Sequence, residues 1–177
     1  MTRRRVLAAG ASTLAASAIV PVRASRTIEI RMKSDRLGAK VWFDPIGLFV
    51  EPGATVRWVV DANVHTTTAY HPDNDGHPLR IPEAAQPWDS GFLVNPGDDF
   101  SVMLTVEGVY DYFCTPHEQA GMVGRIIVGR ASGPGSRPFD YFEGQAYASG
   151  WRHVPPAARD AFPPVERILS EKIVRVA

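Results

Sequence analysis

Residues 27–32 (TIEIRM) alternate apolar and polar side chains, the period of two that marks a strand with one buried face. The pattern continues over the next hundred residues. Residues 40–43 and 48–50 read as short strands broken by the turn-forming DPIG, and residues 54–60 (ATVRWVV) form a β-branched and aromatic strand behind the Pro52–Gly53 turn. Residues 100–106 (FSVMLTV) alternate cleanly, Glu107 and Gly108 turn the chain, and residues 109–114 and 124–128 supply two more strands. Between residues 61 and 97 the regularity fails: Pro72, Gly76, Pro78, Pro82, Pro87, Gly91, Pro96 and Gly97 all fall there. This predicts a long ordered loop with one short strand near residues 91–94, and loops of that length in compact domains are often functional. Short strands with regular turns predict an all-β, antiparallel sandwich or barrel ending near residue 129.

The pattern then changes. Residues 131–138 (ASGPGSRP) have linker composition. Phe139, Tyr141, Phe142 and Trp151 are candidates for packing on the barrel. Behind Pro163 and Pro164, the apolar residues Val165, Ile168, Leu169, Ile173 and Val176 share one face at helical spacing. They predict an amphipathic helix of about three turns, read as a clamp over the barrel.

Composition narrows the function classes. Formal net charge is zero, and no Lys/Arg block lies beyond the N-terminus, which argues against a nucleic-acid binder. The N-terminus reads MTRRRVLAAGASTLAASAIVPVRAS: three arginines, an apolar run from Val6 to Val20, and Val22-Arg23-Ala24 as a small-residue cleavage site. This is the layout of an export signal of the twin-arginine type, occupying residues 1–24. Cleavage after Ala24 removes four arginines and leaves 15 basic and 19 acidic side chains. The expected address is the periplasm or the cell exterior; an uncleaved leader would leave a membrane-anchored form.

The single cysteine is the strongest chemical signal. In YDYFCTPHEQAGM, Cys114 closes a strand, residues 115–121 form a loop, and Met122 opens the final strand. A thiolate, an imidazole from His117 and a thioether thus converge on one tight loop. Soft nitrogen and sulfur donors suit copper, and a His₂Cys plane with a weak axial Met is the ligand pattern of electron-transfer copper sites. The competing reading is a buried thiol acting as a small hydrophobe. A second histidine must come from elsewhere. His65 lies just past the strand at residues 54–60 and is favoured over His71, because a strand end fixes it better. His71 and His77, in the loop HPDNDGHP, read as exposed histidines of a polar turn. Tyr112 shares a face with Cys114 and is expected in the core beneath the metal, whereas Phe113 points the other way. Trp42, Trp58 and Trp88 read as core or loop anchors.

Tyr112-Phe113-Cys114-Thr115-Pro116-His117 with Met122 resembles the copper loop of cupredoxins, in particular the plastocyanin, pseudoazurin and halocyanin group. The C-x-x-H-x-x-x-x-M spacing matches that group and differs from the longer loop of azurins. Residues 49–58 (FVEPGATVRW) resemble the strand pair ahead of the first ligand, with Val64-His65 where its histidine stands. Asp89-Ser90-Gly91, Pro96-Gly97 and Phe100 resemble the segment before the penultimate strand.

The resemblance covers about residues 27–129 and implies a Greek-key cupredoxin sandwich over residues 25–129, with residues 130–177 an extension ending in a helix. It implies one type 1 copper held by His65, Cys114, His117 and Met122, and no catalytic residues. It also implies single-electron exchange with a cytochrome or copper enzyme docking near His117, ringed by Pro116, Ala120 and Gly121. The group usually follows the first histidine with Asn; here Thr66 stands there, and either Thr66 or Asn63 must tie the ligand loops together. Two other readings are a copper-handling protein and an electron-transfer subunit of a larger enzyme. The scarcity of further methionines and the lack of a His-x-His motif count against a copper store and a multicopper enzyme, respectively.

Overall fold

The computed structural model describes residues 26–176, so the leader read at residues 1–24 lies outside the described residues. Two sheets face each other. One has the order β2-β1-β4-β6, from β1 (Thr27–Ser34), β2 (Val41–Asp44), β4 (Ala54–Val60) and β6 (Asp99–Leu104). The other has the order β5-β7-β8-β3-β9, from β3 (Gly47–Val50), β5 (Thr68–Ala69), β7 (Gly108–Phe113), β8 (Val123–Val128) and β9 (Ile173–Val174). Neighbours distant in sequence give the crossed connections of a Greek-key sandwich.

The expectation of a purely antiparallel sandwich needs correction, since β1 pairs with β4, and β3 with β8, in parallel. Alternation reports which face a residue occupies and carries no information on the direction of the neighbouring strand.

The inner faces build one core. Ile30, Met32, Phe43, Val56, Trp58 and Leu104 meet Leu48, Tyr110, Tyr112, Ile126 and Val128, and the irregular segment adds Ile81 and Trp88. Trp58 and Trp88 pack 5.5 Å apart between ring centres, and Tyr112 stands edge-on to Trp58 at 5.3 Å. Both tryptophans therefore anchor the core, as expected. Cys114 and Met122 lie fully buried in the same cluster, at the end of the sandwich where β7 and β8 are joined by the 3-10 turn Thr115–Ala120. The long loop closes the same end: His65 pairs with Leu93, and Thr68 with Asp89.

The extension departs from its predicted form. The helix expected to run to Val176 stops at Glu171; the elements are α1 (Pro156–Ala161), α2 (Val165–Glu171) and the edge strand β9. Lys172 takes a positive φ of 65° and turns the chain. The β-branched pair Ile173–Val174 then adds antiparallel to β3, with Ile46 N–H donating to Val174 O and Phe49 N–H to Lys172 O. Pairing there covers backbone groups of the β3 edge that a third helical turn would leave facing solvent.

The clamp reading survives in a different shape. Tyr70, Phe113, Val123, Val154, Ala158 and Phe162 make a second core between the outer face of the β7–β8 sheet and the extension. Val109, Ile127, Ile168 and Val174 make a third. Phe113 points away from the main core, as its strand position requires, but the extension buries it.

Candidate metal centre

Three donors meet at the closed end. The Cys114 Sγ lies 3.4 Å from His117 Nδ1 and 3.6 Å from His65 Nδ1. All three donor atoms lie within 4.8 Å of one another, and no other such group of His, Cys, Asp and Glu occurs among the described residues. Donors bound to one first-row ion at about 2.0–2.3 Å, at tetrahedral to trigonal angles, sit roughly 3.3–4.0 Å apart, so these spacings fit a single metal ion. Met122 is fully buried beside Cys114, and its backbone is tied to the same loop: Cys114 N–H donates to Met122 O at 3.0 Å, and Met122 N–H to His117 O at 3.1 Å. His71 stands apart from this cluster, its Nδ1 accepting from Asp73 N–H at 3.1 Å.

The surroundings aim the donors. The His65 Nε2 lies 2.9 Å from Ala62 O. A carbonyl only accepts, so Nε2 carries the proton and the Nδ1 lone pair faces Cys114. Thr66 ties the two ligand loops together: its N–H donates to Cys114 Sγ at 3.3 Å, and its Oγ1 accepts from Thr115 N–H at 2.8 Å. Asn63 makes a local bond instead, its Oδ1 accepting from the neighbouring Val64 N–H. One threonine thus supplies both links.

Burial pushes the Cys114 thiol up to about 11 against the partial relief of the Thr66 N–H, so without metal it is protonated at neutral pH. Metal loading must displace that proton. Burial, aided by the nearby His117, drives His65 down to about 4, and burial lowers His117 as well. Both rings are therefore neutral and able to ligate at pH 7.

The unfolded chain takes up a proton at His65 near pH 6.5, and the native chain only near 4, so stability is complete above about 6.5 and declines as the pH falls toward 4. Metal-free protein should lose about 2 kcal/mol between about pH 7 and pH 5 from His65 alone. Urea midpoints measured across that range test this; His65→Gln should remove most of the slope, and an unchanged slope would refute it.

His77 corrects a sequence expectation. It is buried, with its ring 4.3 Å from that of Phe113, and its Nε2 lies 3.2 Å from Glu118 Oε2. Glu118 was not singled out from the sequence, because a carboxylate in a polar loop normally faces water.

A two-sheet Greek-key sandwich with a buried cysteine sulfur, two imidazoles and a thioether at one end is the fold and donor set of a cupredoxin. The profile of copper binding proteins of the plastocyanin/azurin family matches residues 29–129, and the chain belongs to that family, with copper as its cofactor. A chloroplastic plastocyanin of Chlamydomonas reinhardtii is 34% identical over 120 residues, covering 68% of this chain and 78% of the relative. One from Hordeum vulgare is 33% identical over 91 residues, covering 51% of this chain and 57% of the relative, so that match leaves over a third of the relative outside it. Among solved structures, a Sinorhizobium pseudoazurin superposes with a TM-score of 0.55 at 24% identity, covering 82% of this chain and 95% of that one, which supports the fold.

Proposed function

We propose that this chain is an exported carrier of single electrons, holding one copper ion through His65, Cys114, His117 and Met122. The observation that carries the reading is the convergence of Cys114 Sγ with the two Nδ1 atoms at 3.4 and 3.6 Å. Copper supplies the Cu(II)/Cu(I) couple. The protein's part is to hold the donors still: two strands, the Thr66 links and the Ala62 carbonyl fix their positions in advance, so little has to rearrange when an electron arrives or leaves. Burial of Cys114 and Met122 keeps water from the sulfur donors. Membership of a family whose relatives include plastocyanins supports a carrier rather than an enzyme.

Export is read from the arginine-led apolar leader. The partner, a cytochrome or a copper enzyme, docks over His117. That ring is only partly covered, between the exposed residues Pro116 and Ala120. Val64 is exposed beside His65, and Phe92 and Val94 are 65% and 53% exposed on either side of Leu93, which pairs with His65. Such an apolar rim suits brief, weakly specific encounters.

Stopped-flow mixing of reduced protein with an oxidised c-type cytochrome tests this. Transfer should be second order, and Val64→Glu should slow it about 10-fold, the effect of one contact residue, with the metal's visible spectrum unchanged. An unchanged rate would remove the docking surface from the account.

A further inference from the structure

We propose that Glu118 is a positioning residue for the metal loop: held from beneath by Tyr70 and His77, it sets where His117 stands. The proposal rests on the reading of His117 as a ligand.

Glu118 follows His117 in the 3-10 turn Thr115–Ala120 and is only 7% exposed, whereas Thr115, Pro116, Gln119 and Ala120 face solvent. A buried carboxylate costs several kcal/mol unless its oxygens are bonded. Both are: the Tyr70 hydroxyl donates to Oε1 at 2.7 Å, and His77 Nε2 lies 3.2 Å from Oε2. His77 Nδ1 is 2.6 Å from Asn74 O and must donate to it.

These anchors belong to other parts of the molecule. Tyr70 N–H donates to Asp111 O at 3.0 Å, in the middle of β7. The rings of Tyr70 and His77 both pack on Phe113, and Tyr70 also meets Phe162 of the extension at 5.9 Å between ring centres. On the loop's other side, Gly121 has φ 80°, and a Cβ there would stand 2.9 Å from the carbonyl oxygen of Ala157 in α1. Backbone of the extension therefore lies directly against the end of the loop.

The geometry of the turn converts this hold into orientation. Successive side chains of a 3-10 turn are about 120° apart, so fixing Glu118 inward fixes the direction of His117. The Thr115 hydroxyl, 3.1 and 3.2 Å from those of Thr66 and Thr68, ties down the start of the turn, and the Glu118 carboxylate anchors its middle, next to His117.

Three variants separate positioning from bulk stability. Glu118→Gln keeps both contacts, its amide oxygen accepting from Tyr70 and its amide N–H donating to a neutral His77. Tyr70→Phe removes one contact and Glu118→Ala removes both. In metal-free protein, amide exchange at residues 117–121 should rise at least about 10-fold in Glu118→Ala, less in Tyr70→Phe and not in Glu118→Gln, while Ile126 and Ile127 stay protected. Release of Cu(II) to a strong chelator should quicken in the same order, by about 10–100-fold for Glu118→Ala. Unchanged exchange in Glu118→Ala, or equal loss of protection in the loop and in β8, overturns the proposal. If exchange behaves as expected but the parent protein binds no copper, positioning stands and the copper reading fails.

Discussion

Asp111→Ala is expected to destabilise the metal-free protein by about 3–5 kcal/mol, the effect of breaking a buried ion network from one side. Asp111 is fully buried on the outer face of β7. Its carboxylate accepts from Arg80 Nε at 2.7 Å, from Arg125 Nε at 2.7 Å and from Arg125 Nη2 at 3.0 Å. The two guanidinium groups then reach the extension: Arg80 Nη2 donates to Gly135 O and Arg137 O, and Arg125 Nη1 to Pro163 O. Phe139 and Phe162 lie against them, at 3.8 and 5.0 Å from the guanidinium carbons. Alanine at position 111 leaves two buried cations without their anion. A domain's whole stability is about 5–15 kcal/mol, so this loss is a large fraction of it. A urea midpoint about 2 M lower is the expected reading, and a shift below about 0.5 M would contradict it. A chain ending at Arg130 should fare no better, since it bares Tyr70, Phe113, Val123 and Ile127 together.

Cys114→Ser is expected to abolish the intense visible absorption of the copper-loaded protein while leaving the fold in place. Serine fills nearly the same space, and its hydroxyl can still take the Thr66 N–H that now points at Sγ. What it lacks is the soft sulfur donor that gives thiolate-to-copper charge transfer and favours Cu(I). The variant should unfold within about 1–2 kcal/mol of the parent, the range for one altered buried hydrogen bond. It should bind copper far more weakly and colourlessly. A Cys114→Ser protein that keeps the parent spectrum would place the metal elsewhere.

How much of this was legible in the sequence depended on distance along the chain. Cys114, His117 and Met122 lie within one loop, so their spacing alone located them. His65 is 49 residues from Cys114, yet its closeness to the strand end at Val60 is enough to favour it over His71. The role of Thr66 could be posed but not settled, because its hydroxyl and Asn63 were equally near in sequence and only the fold shows which one reaches Thr115. The extension was read least well. On strand periodicity alone, Asp111, Phe113 and Arg125 face outward, and nothing local says that residues 131–174 cover them. Ile173 and Val176 fit a helical face as well as an edge strand, and the open edge of β3 decided between them. His77 looked exposed for the same reason: the partner that buries it, Glu118, is 41 residues away.

A visible redox titration of the purified protein loaded with Cu(II) decides whether His65, Cys114, His117 and Met122 hold one copper ion for electron transfer. One equivalent should produce an intense thiolate-to-copper band that bleaches with one electron and returns in full on oxidation. A colourless Cu(II) complex, or a band that does not return because reduction expels the metal, would contradict that reading.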